Sequence, residues 1–136
     1  MAQQRTALVL GGTGTIGHQL CNRLKEYDFW VRCVDRKMPV YSTSAADELI
    51  IADLRNEGVV SKAMFGPEQR TNDDKYNSFD MVFMLAAEMG GAGYVFTKEN
   101  DSEILFNSAI MNLYVAKHAT EKNVKKIFFS FYVVLF

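Results

Sequence analysis

Short apolar runs alternate along the chain with segments whose apolar residues recur every three or four positions, the period of a helix with one buried face. The runs Ala7–Leu10, Trp30–Val34, Glu48–Ala52, Met81–Ala87 and Ile127–Phe136 predict five strands. Met81–Ala87 has no polar position, as expected of a strand covered on both faces. Between the runs, Ile16, Leu20, Leu24 and Tyr27 set out a first helix, and Leu54–Met64 a second that stops at Gly66-Pro67. Asn100 followed by Glu103 resembles a capping box, opening a third, long helix to about Lys122. Lys122, Lys125 and Lys126 are placed to offset its negative end. Residues 37–47, with Pro39 and a Ser-Thr-Ser stretch, and 68–78, EQRTNDDKYNS, read as loops, the latter a surface excursion rather than a domain boundary.

Apolar residues of the long helix, among them Leu105, Phe106, Ile110, Met111, Leu113 and Val115, wrap more than one face. A helix lying on a sheet needs one stripe, so the remainder is expected to bury against a further part of the fold or a second copy, as a homodimer through residues 102–122.

The sharpest local signal lies between the first strand and the first helix. Gly12, Gly14 and Gly17 satisfy G-x-G-x-x-G, and Gly11, Gly14 and Gly17 satisfy G-x-x-G-x-x-G. A chain leaving a strand must turn sharply there, and a pyrophosphate must approach backbone amides at a helix start with no Cβ in the way. Asp35 ends the second strand 18 residues beyond Gly17, where a carboxylate accepts from an adenosine ribose hydroxyl and disfavours an added 2′-phosphate. Motif, flanking pattern and acid together predict an α/β fold of Rossmann type that binds NAD. Its doubly wound parallel sheet would have right-handed crossovers and the order 3-2-1-4-5. Arg36 is either a solvated loop cation or a contact for the adenine. Asp53, at the end of the third strand, either meets the adenine edge or caps the helix that follows. After the fourth strand, Glu88-Met89-Gly90-Gly91-Ala92-Gly93 forms a second glycine-rich turn at the same edge of the sheet.

Composition narrows the reading further. A chain of 136 residues suits one domain with one core, and a net charge of −1 offers nothing to nucleic acid or an anionic membrane. Cys21 and Cys33 show no paired framework and read as buried thiols of a reducing compartment, so the expected location is the cytoplasm. The start of the chain lacks a signal-peptide pattern, and Ile127–Phe136 is far shorter than the roughly 20 residues of a membrane helix. As an outer strand, Phe131–Phe136 would leave unpaired backbone groups and promote association.

Candidate catalytic groups are few. Tyr94 and Lys98 have Tyr-x-x-x-Lys spacing but follow the fourth strand, so the bland reading as a loop or helix start is preferred. His18 and His118 read as surface or cap histidines, Glu88 as a turn-stabilising residue rather than a general base, and the methionines as core. No metal cluster or nucleophile–base set emerges.

Leu8–Leu20 (LVLGGTGTIGHQL), Asp35, Ile51–Arg55 (IADLR) and above all Leu85–Val95 (LAAEMGGAGYV) resemble the extended short-chain dehydrogenase/reductases, and within them the GDP-mannose 3,5-epimerases. The Ala86–Gly91 turn is the most specific of these features, and Phe106-Asn107 matches the asparagine-bearing helix of that family. The resemblance implies that Gly11, Gly12, Gly14, Thr15, Ile16 and Gly17 hold the NAD pyrophosphate and Asp35 the ribose. It implies that Asp53 and Leu54 border the adenine, that Leu85, Ala86 and Ala87 line the cofactor, and that Gly90 and Gly91 approach a GDP-mannose-like nucleotide-sugar. The family oxidises its sugar transiently with NAD, epimerises it and reduces it again.

Beyond Phe129 the resemblance departs. The family's serine-rich run, cysteine and Tyr-Pro are replaced by Ser130–Phe136, with Tyr132 in place of a sugar-binding hydroxyl and Val134 in place of the cysteine acid/base. The later Tyr-x-x-x-Lys helix, the sixth strand and the substrate domain are not in this sequence. The expectation is the amino-terminal NAD-binding part of an epimerase, inactive as it stands. The alternatives are a non-catalytic dinucleotide-binding or interaction module, and a nucleotide-sugar dehydratase or reductase of the same superfamily.

Overall fold

The computed structural model describes residues 3–67, 78–88 and 99–130. Strand β1 (Thr6–Leu10) leads through the glycine turn into helix α1 (Thr15–Glu26). Then follow β2 (Trp30–Asp35), β3 (Glu48–Ile51), α2 (Glu57–Ala63), β4 (Met81–Met84), α3 (Asp101–Glu121) and β5 (Lys126–Phe129). All neighbouring strands pair in parallel in the order β3-β2-β1-β4-β5, as the alternation of elements predicts.

β1 is central and wholly buried, and its side chains alternate between two cores. Leu8 and Leu10 join Val60, Val82, Met84 and Val115 under α2 and α3, while Ala7 and Val9 join Cys21, Leu24, Val31 and Cys33 under α1. With helices on both faces, the carboxyl ends of β1 to β4 open together at one edge, where sheets of this kind take their ligands.

Several local expectations change in the folded chain. α1 buries Gly17, His18, Cys21 and Leu24 rather than the stripe Ile16, Leu20, Leu24 and Tyr27. Gly17 permits the closest approach to the turn below, since a Cβ there would lie 2.6 Å from Gly12 Cα, and packing on that face turns Ile16 and Tyr27 outward. α2 begins at Glu57 rather than Leu54, because Asn56 caps it by accepting from the Gly58 amide at 2.9 Å. Leu54 sits instead in the core. Asn100 occupies the N-cap of α3 without a side-chain capping bond, so the capping box does not form.

β4 stops at Met84 and is buried at Val82 and Met84 only, because α1 lies over β1 and β2 and leaves Met81 and Phe83 half-covered. β5 is likewise half-exposed rather than buried, and residues 131–136 lie outside the described residues. Asp28 (φ 61°) and Asn123 (φ 56°) turn the chain out of α1 and α3 in the left-handed region. Bonds from Phe29 N to Leu24 O and from Val124 N to Ala119 O, both 3.0 Å, close those helix ends.

Two of the three lysines at the end of α3 have tertiary side-chain partners. Lys122 Nζ stands 3.5 Å over the Phe65 ring, and Lys125 Nζ lies 2.9 Å from Asp80 Oδ1, while Lys126 is within β5. Neither histidine is a surface residue, for both are buried. His118 Nε2 lies 3.0 Å from Glu57 Oε1 and its Nδ1 3.2 Å from Glu121 Oε2, with Lys117 Nζ 2.7 Å from the same Glu57 oxygen. These contacts clasp α3 to α2.

Hydrogen bonds from Lys117 and then His118 hold the Glu57 carboxyl below its ordinary range. A carboxyl with a depressed folded pKa stabilises fully above its unfolded value, about 4.3 for glutamate, and loses that contribution as pH falls through the folded value. The fall of the urea midpoint below about pH 4 is therefore expected to be less steep in Glu57→Gln than in the parent chain. An acid limb equally steep in the variant would refute the clasp.

Candidate functional site

The site is built where β1 enters its turn. Gly11 has φ +86°, and its amide donates to Val34 O at 2.8 Å, tying the turn to β2. A Cβ at Gly11 would lie 2.6 Å from Ala86 N and 2.8 Å from Ala86 Cα, so this glycine lets the ends of β1 and β4 close on each other. Gly12 is packed over Cys33 and Val9, and a Cβ at Gly17 would fall on Gly11 O. At Gly14 the nearest atom to a Cβ is Gly11 O at 3.7 Å, which leaves room above the turn. Gly14 is also the N-cap of α1 and makes no side-chain cap, so the first-turn amides remain for an external acceptor.

Asp35 faces this turn. Its carboxylate accepts from the Thr13 amide at 3.1 Å and the Lys37 amide at 3.3 Å, which fixes it at the tip of β2. Gly11, Gly14, Asp35, Arg36, Asp53, Leu54, Leu85, Ala86 and Ala87 all line one crevice of about 170 Å³. Ala52, Arg55, Glu88 and Met111 complete the lining. Gly12 and Gly17 lie behind it as packing positions. Thr15 and Ile16 lie on the first turn of α1, where the Thr15 hydroxyl is 3.0 Å from the Tyr41 hydroxyl and Ile16 is exposed. Gly90 and Gly91 lie outside the described residues, as do Tyr94 and Lys98.

Charged groups around the crevice are paired. Arg55 binds the Asp53 carboxylate through Nε at 3.0 Å and Nη2 at 2.6 Å, and this bond first of all holds Asp53 below the ordinary carboxylate range. Asp53 is therefore a wall of the crevice and not a helix cap. Arg36 lines the crevice, partly exposed, and reaches across to Glu88 at 3.2 and 3.4 Å. The Glu88 amide in turn donates to Ser108 Oγ of α3 at 3.1 Å, consistent with a turn-stabilising residue.

Beneath the turn, Cys21 and Cys33 are free, buried and in mutual contact. Its hydrogen bond with Cys21 and then burial push the Cys33 thiol up, so it stays protonated. His18 Nε2 is 2.9 Å from Ser42 Oγ, which docks the loop after β2 onto α1. Among the described residues no group of three or more His, Cys, Asp or Glu could hold a metal, and no helix is long and apolar enough to cross a membrane.

Sequence reasoning missed Arg55, Met111 and the Arg36–Glu88 pair. Arg55 stood inside the IADLR motif, but nothing local links Arg36 to a residue 52 positions away.

A parallel sheet with this strand order, a glycine turn stripped of Cβ atoms at a helix start and an acid at the next strand tip define a dinucleotide-binding domain. The model of the NAD dependent epimerase/dehydratase family matches residues 7–131, and the chain belongs to that family. GDP-mannose 3,5-epimerase 1 of Oryza sativa subsp. indica is 28% identical over 124 residues, 90% of this chain and 29% of that protein. The chain thus spans less than a third of the length of the curated relatives it matches. UDP-glucose 4-epimerase of Thermotoga maritima, solved with UDP-glucose, superposes with a TM-score of 0.70 at 22% identity, covering 91% of this chain and 37% of that one. UDP-glucose 4-epimerase of Brucella ovis, solved with NAD, gives 0.71 at 15% identity, covering 92% and 35%. NAD is the cofactor of the family, and the open turn and Asp35 fit it.

Proposed function

We propose that the crevice binds NAD, with the first-turn amides of α1 on the pyrophosphate, Asp35 on the adenosine ribose and Asp53, Leu54 and Ala87 about the adenine. The chain would then be the dinucleotide-binding part of a nucleotide-sugar epimerase acting on a GDP-mannose-like substrate. The observation that carries this reading is the shared crevice of Gly11, Gly14 and Asp35, with Ala86 packed against the turn. When bound, NAD supplies a hydride acceptor for a sugar carbon and later a hydride donor. Gly90 and Gly91 are the residues proposed to approach the sugar nucleotide. Cys21 and Cys33, free although in contact, support a reducing compartment such as the cytoplasm. Leu105, Phe106 and Leu113 on the outer face of α3 support the homodimer.

A second reading is a dinucleotide-binding module without turnover. It is favoured by the pairing of Asp35, Asp53 and Glu88, the carboxylates lining the crevice, each of which is already engaged by a hydrogen-bond donor rather than standing ready as a general base. On either reading we expect no epimerisation by these 136 residues alone.

Calorimetric titration tests both. NAD is expected to bind, and Asp35→Ala to weaken it about ten- to a hundred-fold, the worth of hydrogen bonds to a charged acceptor. No heat with NAD, or equal affinity in the variant, would overturn the site. GDP-mannose binding in the presence of NAD would favour the epimerase reading, and NAD binding alone the module.

A further inference from the structure

The crevice wall holds three carboxylates, Asp35, Asp53 and Glu88, and two guanidiniums, Arg36 and Arg55. Each guanidinium is matched to a carboxylate, Arg55 to Asp53 at 2.6 Å and Arg36 to Glu88 at 3.2 Å. The Arg36–Glu88 pair differs in kind from the other. Arg55 and Asp53 are two positions apart, whereas Arg36 follows directly on the ribose-binding candidate at the tip of β2 and crosses to the end of β4. Arg36 Nη1 donates to Glu88 Oε2 and Nη2 to Oε1, one bond to each carboxylate oxygen. The Glu88 side chain is only 11% exposed, and its amide is anchored on Ser108, so the acceptor does not follow the arginine outward.

An arginine beside the ribose acid is the group a 2′-phosphate would need, since a planar guanidinium binds phosphate through paired hydrogen bonds. Here it is already taken. A phosphate added at the 2′ position would meet Asp35 and would have to compete with Glu88 for Arg36. We propose that Glu88 is a specificity-determining residue for the cofactor: by holding Arg36 across the crevice it withholds that guanidinium from a 2′-phosphate and enforces NAD over NADP.

The selectivity thus comes from two carboxylates, Asp35 at the tip of β2 repelling the phosphate and Glu88 in the segment after β4 sequestering its counter-charge. Removing the Glu88 charge balances the wall at two carboxylates and two guanidiniums and frees Arg36 next to Asp35. The inference rests on the crevice being a dinucleotide site, as proposed above.

Fluorescence titration of the 136-residue chain with NADH and NADPH tests it. In Glu88→Gln, which keeps the size of the side chain and the backbone bond to Ser108, the ratio of NADPH to NADH dissociation constants is expected to fall about ten-fold or more. Glu88→Ala should move the ratio in the same direction, which covers a failure of the glutamine variant to fold. The double variant Arg36→Gln/Glu88→Gln should return the ratio toward that of the parent chain. A ratio unchanged within about two-fold in both single variants would overturn the proposal. So would NADPH binding that stays improved in the double variant, because another cation would then be serving the phosphate. A parent chain that binds neither nucleotide would overturn the dinucleotide reading itself, and this inference with it.

Discussion

Replacing Gly11 with alanine is expected to destabilise the fold by about 2–5 kcal/mol and to remove NAD binding. Two costs add at this position. A residue with a Cβ is strained by about 1–2 kcal/mol at φ +86°, and that Cβ would stand 2.6 Å from the backbone nitrogen of Ala86, which cannot rotate aside as a side chain could. Overpacking of this kind costs about 1–3 kcal/mol. Gly17→Ala meets a similar backbone obstacle, at Gly11 O and Gly12 Cα, but the higher helix propensity of alanine offsets about 1 kcal/mol, so its net effect is smaller.

Gly14→Ala is the informative contrast. Its Cβ would touch only Gly11 O at 3.7 Å and its φ is −71°, so stability should change by less than about 1 kcal/mol. The same Cβ would project where the pyrophosphate is proposed to sit, so affinity should fall. Urea unfolding beside NAD titration separates the three variants. A Gly11→Ala protein as stable as the parent would show that the β1–β4 closure is wrong.

Arg32→Met should lower stability by about 2–4 kcal/mol, the second large effect. The Arg32 guanidinium is largely buried between β2 and the end of α2, donating to Ala63 O at 2.9 Å, to Phe65 O and to Glu48 Oε2 at 2.6 Å. It also lies 5.5 Å from the Trp30 ring centroid and 5.1 Å from that of Phe79. Methionine preserves most of the packed stem but leaves two carbonyls at the end of α2 without their donor, at about 1–3 kcal/mol for a buried unsatisfied group. Glu48 is partly exposed and can return to water, so its share is small. Equilibrium urea unfolding measures the sum. A loss under about 0.5 kcal/mol would mean that the carbonyls find other partners, and the guanidinium would then not be what secures α2 to β2.

Arg32 also marks where reading the sequence reaches its limit. In the chain it is one charged residue in an apolar run, and nothing nearby announces that it will be enclosed by residues 31 and 33 positions later. The same holds for Arg36 and Glu88, and for Lys122, Lys125 and His118, each of which finds a partner from another element. Even the buried face of α1 was displaced from the stripe its hydrophobic residues suggest. Contact with the turn is closest at Gly17, a residue with no hydrophobicity to register in a periodicity.

From the order of its residues alone, this chain could be read as a parallel α/β domain with order 3-2-1-4-5 and a phosphate-type glycine turn backed by Asp35. Those features depend on local period, local turn chemistry and the handedness of crossovers, all carried by neighbours along the chain. Folding alone decided which face of α1 is buried, that Lys117 and His118 of α3 hold Glu57 of α2, and that Arg36 is held by Glu88 across the crevice. Such contacts join residues far apart in the chain, and their geometry exists only once the strands that carry them lie side by side.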